Sequence, residues 1–127
     1  MIVVDASAAV LALLNAGPAR QILGAQPLHV PDLIDSEVAN SLRKRVASGD
    51  IRADHGWLAL DSWRRLGMRR YPVPGLLQRI WELRDNLSAY DASYVALAEM
   101  LGCPLLTADR RLARAPGVRC AVTVVPD

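Results

Sequence analysis

Three short stretches of strand-forming residues separate longer helical patterns along this chain, and that alternation limits the fold more than any other feature. Residues 2–4, 28–30 and 104–107 are too short for helices, and each ends at a turn or at a residue that starts a helix. Strands alternating with helices predict an α/β domain whose mostly parallel sheet is covered on both faces. Helices are expected after the first strand as far as Asn15, over 18–23, from a cap at Asp32 to Ala47, over 53–66 and over 74–84. A further helix runs from Ser88 to Leu101, where Gly102 ends it. Residues 68–73 read as a connecting or strand segment, 110–114 as a short helix and 118–125 as a last strand. With 127 residues and no long linker or repeat, the expectation is a single domain over 1–127.

Hydrophobic residues make up 52% of the chain, enough to bury a core and to exclude disorder. There is no Phe, so the core falls to Leu, Val, Ile and Ala around three Trp and three Tyr. Residues 1–5 lack a basic segment and Asp5 interrupts the apolar run, which predicts neither a signal peptide nor a membrane span and favours the cytoplasm. Cys103 and Cys120 have no metal-ligand spacing and are expected as free, buried thiols. The near balance of 15 Lys+Arg against 13 Asp+Glu conceals a segregation: net −3 over residues 1–40, +6 over 41–84 and −1 over 85–127. Arg43-Lys44-Arg45, Arg64-Arg65 and Arg69-Arg70 in the middle suit either a solvated helix face or attraction of an anionic polymer.

In open α/β sheets ligands bind beyond the carboxyl ends of the strands, so acids placed there come first. Asp5 follows the first strand and Asp109 follows the 104–107 strand; each equally suits a helix N-cap. Asp91 lies four residues before Val95 on the stripe Val95, Ala98, Leu101, so its carboxylate points inward and needs a partner. A capping box from Ser88 to Asp91 is the alternative. With a cap at Asp32, Asp35 suits the helix dipole, whereas Glu37 falls more than one turn inside, at the flank of the stripe Ile34, Val38, Leu42, Val46. The alternative for Glu37 is an exposed helix carboxylate. If the four acids meet, repulsion is large: two unit charges about 4 Å apart cost about 4 kcal/mol at an effective dielectric of about 20. Hard divalent cations such as Mg²⁺ or Mn²⁺, held by carboxylates and water, relieve it and suit phosphate chemistry.

Four segments carry a family resemblance: Val3-Val4-Asp5-Ala6-Ser7, Pro31-Asp32-Leu33-Ile34-Asp35-Ser36-Glu37-Val38, Tyr90-Asp91-Ala92-Ser93-Tyr94-Val95-Ala96-Leu97-Ala98 and Leu105-Leu106-Thr107-Ala108-Asp109-Arg110-Arg111-Leu112. In order and spacing they resemble the PIN-domain ribonucleases, in particular the VapC toxins of type II toxin–antitoxin pairs. The resemblance implies a PIN-like three-layer α/β/α domain and a Mg²⁺- or Mn²⁺-dependent endoribonuclease. It implies inhibition by a VapB-type antitoxin, an RNA substrate and a homodimer. Carried over residue by residue, the acidic site falls on Asp5, Glu37, Asp91 and Asp109, with metal on Asp5, Asp91 and Asp109 and support from Ser7 and Thr107. Glu37 completes the shell through water or helps to deprotonate the nucleophile.

Two other classes compete. An aspartyl-phosphate enzyme using Asp5 fits an acid after the first strand, but Ser7 stands where a second Asp is wanted and the only Lys is Lys44. A non-catalytic nucleic-acid-binding module would rest on Arg43, Arg45 and Arg64, yet an acidic cluster facing a polyanion is a liability without metal. His29 reads as a packed strand residue and His55 as a surface one. Trp57, Leu58, Trp63 and the Leu76-Leu77-Ile80 stretch suit core packing, a dimer face or an antitoxin helix.

Overall fold

The structure, a computed structural model, describes residues 1–126. Five parallel strands form one sheet in the order β3-β2-β1-β4-β5: β1 Ile2–Val4, β2 Leu28–Pro31, β3 Met68–Tyr71, β4 Leu105–Thr107 and β5 Val122–Val124. Parallel strands need helical crossovers, which here are α1 Ala6–Leu14, α2 Pro18–Ala25, α3 Ile34–Ala47, α4 Ala53–Arg65, α5 Leu77–Glu82, α6 Ala89–Leu101 and α7 Arg110–Arg114. Helix α1 packs on α2, α3 and α4, while α5 packs on α6, which lies against β1, β2 and β4. The result is the expected three-layer α/β/α arrangement with a parallel sheet.

The central strands are apolar because both their faces are covered. Val3, Val4, Leu105 and Leu106 are fully buried, whereas the edge strand β3 exposes Arg69 and Arg70. The chain moves outward from β1 through β2 to β3, then returns to place β4 on the other side of β1. The strand order therefore reverses between β1 and β4, and a crevice opens at their carboxyl ends. Among the described residues, no helix is long and apolar enough to cross a membrane.

Several boundaries differ from the sequence reading for local reasons. Asp32 does not cap α3. Its backbone N–H donates to the Tyr71 carbonyl at 2.8 Å, continuing the β2–β3 ladder, and the helix starts after Leu33 without a side-chain cap. Glu37 thus sits in the first turn of α3 rather than beyond it. The 74–84 helix is broken into a 3₁₀ turn at Pro74–Leu76 and the short α5, with Leu76 N–H closing onto Val73 at 2.8 Å. The last strand keeps only three residues. Helix α6 matches its expected limits, with Ser88 as N-cap and Gly102 at φ 66°, a left-handed conformation that glycine adopts without steric cost. Cys103 is buried and Cys120 partly so, both free.

Candidate active site

Asp5 ends β1 and begins α1, so it both caps a helix and faces the crevice. It is 5% exposed, and both carboxylate oxygens are engaged. Oδ1 accepts from Ser7 Oγ at 2.6 Å and Ala8 N–H at 3.0 Å; Oδ2 accepts from Thr107 Oγ1 at 2.6 Å. Burial raises the Asp5 carboxyl above its ordinary value, the three donors oppose that rise, and the charge of Asp109 adds to it. Thr107 is fully buried at the end of β4, and its hydroxyl also accepts the Asp109 N–H at 3.0 Å. Ser7 Oγ in turn accepts the Ala108 N–H at 3.0 Å. Two hydroxyls thereby stitch the ends of adjacent strands together around one carboxylate.

The other acids arrive from three helices. Asp91 lies in the first turn of α6, where its backbone N–H donates to Ser88 Oγ at 3.1 Å. Only that half of the capping box forms: among the described residues, no donor reaches the Asp91 carboxylate. Burial raises this group, Asp5 and Asp109 raise it further, and the charge of Arg111 opposes the rise. Glu37 accepts a short hydrogen bond from the Tyr94 hydroxyl. Burial pushes Glu37 up, the Tyr94 bond holds it down, and Asp91 and Asp5 push it up again. The same contact and burial drive the Tyr94 hydroxyl upward, so it remains a donor. Asp109 caps α7 and is gripped by the Arg111 guanidinium, which holds its carboxyl below the usual range.

The four predicted acids, with Ser7 and Thr107, therefore lie around the switch between β1 and β4, where Asp91 and Asp5 act electrostatically on Glu37, and Asp5 and Asp109 on Asp91. They do not close into a cage, since no three His, Cys, Asp or Glu side chains among the described residues are placed to enclose an ion. The donor set still fits a hard divalent cation. It is all oxygen, three of its carboxylates are raised by burial and by one another, and Asp91 accepts no hydrogen bond among the described residues, with only the Arg111 charge to offset its own. Mg²⁺ keeps several of its waters and is usually held by one or two carboxylates, so a loose carboxylate set suits it better than a tight one.

Two clefts flank the acids and share Asp109. One, of about 600 Å³, is lined by Ser7, Asn15, Ser41, Arg45 and Asp109; the other, of about 400 Å³, by Asn86, Ser88, Asp91, Asp109, Arg111 and Arg114. The basic middle contributes little here besides Arg45. Arg64 and Arg65 pair with Asp61, Arg70 with Asp35, and Arg43 with Asn40. Neither histidine belongs to the site: His29 Nδ1 bonds Tyr71 Oη at 2.7 Å between β2 and β3, and His55 is exposed on α4. Sequence reasoning gave no role to Tyr94 or Arg111. The signals were a phenol on a buried helix face, which needs a partner for its hydroxyl, and an Arg two residues after a capping Asp.

The PIN domain matches residues 2–118. Ribonuclease VapC9 of Mycobacterium tuberculosis is 60% identical over 126 residues, covering 99% of each chain. Among solved structures, the sarcin-ricin loop cleaving toxin VapC20 of Mycobacterium tuberculosis superposes with a TM-score of 0.67 at 20% identity, covering 94% of this chain and 97% of that one. VapBC2 of Rickettsia felis, bound to a DNA fragment from its promoter, gives 0.70 at 14% identity, covering 98% and 99%; at such identities these two show the fold alone. A carboxylate set at the β1–β4 switch and identity running from end to end lead to one assignment: the chain belongs to the PIN-domain family, among its VapC ribonucleases.

Proposed function

We propose that this ribonuclease hydrolyses RNA phosphodiesters with a metal-activated water at Asp5, Glu37, Asp91 and Asp109, as the toxin of a pair whose partner is a VapB-type antitoxin. The observation that carries the reading is the Asp91 carboxylate, partly buried between two other acids with no donor of its own. Mg²⁺ or Mn²⁺ on Asp5, Asp91 and Asp109 would supply a water of lowered pKa and positive charge against the scissile phosphate. Asp5 is held by Ser7 and Thr107, which orient its carboxylate in advance. Glu37, whose carboxyl burial pushes above its ordinary value, is the candidate proton acceptor, and Tyr94 holds its position. Arg45 at one cleft wall and Arg111 and Arg114 at the other offer guanidinium forks to phosphates on either side.

The aspartyl-phosphate alternative is disfavoured because Ser7 stands where a second Asp is wanted and the only Lys, Lys44, is exposed in the last turn of α3. For partners, Trp63, Leu76 and Ile80 are core residues, whereas Trp57 and Leu58 on α4 and Leu77 and Trp81 on α5 are exposed. These apolar faces suit an antitoxin helix and a second copy of the chain. The test is cleavage of structured RNA by wild type and Asp5→Asn with Mg²⁺, with Mn²⁺ and in chelator. Cleavage is expected only for wild type with metal; cleavage that survives in Asp5→Asn or in chelator would overturn the mechanism.

A further inference from the structure

Asp109 differs from its three neighbours in already having a cation. Arg111 approaches it with Nε 3.1 Å from Oδ1 and Nη2 2.9 Å from Oδ2, while the Arg111 backbone N–H donates to Oδ1 at 2.9 Å. A carboxylate offers about four lone-pair sites, and three are taken. The Arg111 side chain is 92% exposed, and the Asp109 carboxylate is the acceptor of both its side-chain hydrogen bonds. It stands in the cleft that holds Asp91, Ser88 and Arg114.

We propose that Arg111 competes with the metal for Asp109, and that metal binding transfers its guanidinium from Asp109 to an RNA phosphate in the Asp91–Arg114 cleft. The proposal rests on the metal-dependent reading of the site. An exposed ion pair is weak, so a divalent cation displaces it readily. A guanidinium fork fits phosphate as well as carboxylate, so the released side chain finds an equivalent acceptor on the substrate. No proton or bond is exchanged; one acceptor replaces another. Without metal the fork is occupied, and with metal it is free beside the scissile group, so ion binding precedes productive RNA binding. Arg111 is on this account a positioning residue.

The experiment titrates Mn²⁺ into the metal-free full chain by calorimetry, without RNA, for wild type, Arg111→Ala, Arg111→Lys, Arg114→Ala and Asp91→Asn. Arg111→Ala is expected to bind Mn²⁺ about two- to fivefold more tightly than wild type, the range an exposed pair allows. Arg111→Lys, which keeps the charge and loses the fork, should fall between. Arg114→Ala, which removes a charge from the same cleft, should gain less than half as much. Binding of a labelled single-stranded RNA, checked intact on a gel, is then measured in Ca²⁺ and in chelator. Arg111→Ala should weaken it severalfold in Ca²⁺ and hardly at all in chelator. Wild-type Mn²⁺ binding that is lost in Asp91→Asn but unchanged in Arg111→Ala would overturn the competition alone. An equal gain in Arg114→Ala, or equal RNA loss with and without ion, would also overturn it. Absence of Mn²⁺ binding in every protein would overturn the metal site as well.

Discussion

The hydroxyl of Thr107 offers a sharp test of how the site is held, and Thr107→Val is the perturbation, because valine keeps the shape and the strand preference while removing the oxygen. Thr107 is fully buried, so no water replaces what is lost. The variant forfeits a 2.6 Å bond to the Asp5 carboxylate and leaves the Asp109 N–H without its 3.0 Å acceptor. Hydrogen bonds to a charged group contribute about 1.5–3 kcal/mol and an orphaned buried donor costs about 1–3 kcal/mol. The Asp109 N–H is near the surface, so the combined loss should be about 2–4 kcal/mol. For a domain of this size, with an unfolding entropy of about 2.1 cal/mol/K per residue, the melting temperature should fall by roughly 8–15 °C. Thermal unfolding in chelator, followed by circular dichroism, measures it, with Thr107→Ser as the variant that restores the hydroxyl. The deficit should narrow in acid, because a protonated Asp5 loses only a neutral hydrogen bond, worth about 1 kcal/mol. A melting temperature within about 2 °C of wild type, or a deficit independent of pH, would refute the argument that this hydroxyl stabilises the Asp5 charge.

Other perturbations separate the remaining contacts. Asp91 is raised in the folded state, so between the unfolded and folded values the native protein holds the extra proton and stability falls as pH rises through that window. Asp91→Asn should therefore match wild type in chelator below about pH 4 and become the more stable protein toward neutrality, and it should lose any melting-temperature rise with Mn²⁺; a pH-independent advantage would contradict this. Tyr94→Phe removes the donor that restrains Glu37, so the acid limb of the pH–rate profile for RNA cleavage should move to higher pH, with a stability loss of about 1 kcal/mol. Asp35→Ala strands the buried Trp63 indole N–H, which now donates to Asp35 at 2.8 Å, and releases Arg70; urea unfolding should show a loss of about 1–3 kcal/mol, partly recovered in Asp35→Asn.

The sequence made the ends of β1 and β4 legible because their signals are local: an apolar triplet, then an acid with a helix after it. Asp91 was legible through helical periodicity, since four residues separate it from Val95 on a buried stripe. What stayed hidden depended on partners far along the chain. Asp32 looks like a cap until Tyr71 supplies a strand for it to pair with, and Asp35 looks like a dipole acid until Arg70 and Trp63 claim it. The basic middle suits either a solvated helix face or attraction of an anionic polymer, and in the fold Asp61 and Asp35 pair with Arg64, Arg65 and Arg70, which leaves Arg45 at the cleft wall. Charge counting along a sequence sees the cations and misses which acids fold back onto them.

The bond between Asp5 and Thr107 joins positions 102 residues apart, and that separation has a bearing on synthesis. A chain made from its N-terminus exposes β1, β2 and β3 well before β4, so the first carboxylate waits without its hydroxyl partner and without Asp109. Contacts this distant carry a loop-closure entropy that must be overcome before they form. The growing polypeptide thus cannot bring the four carboxylates together until β4 and the start of α7 have emerged.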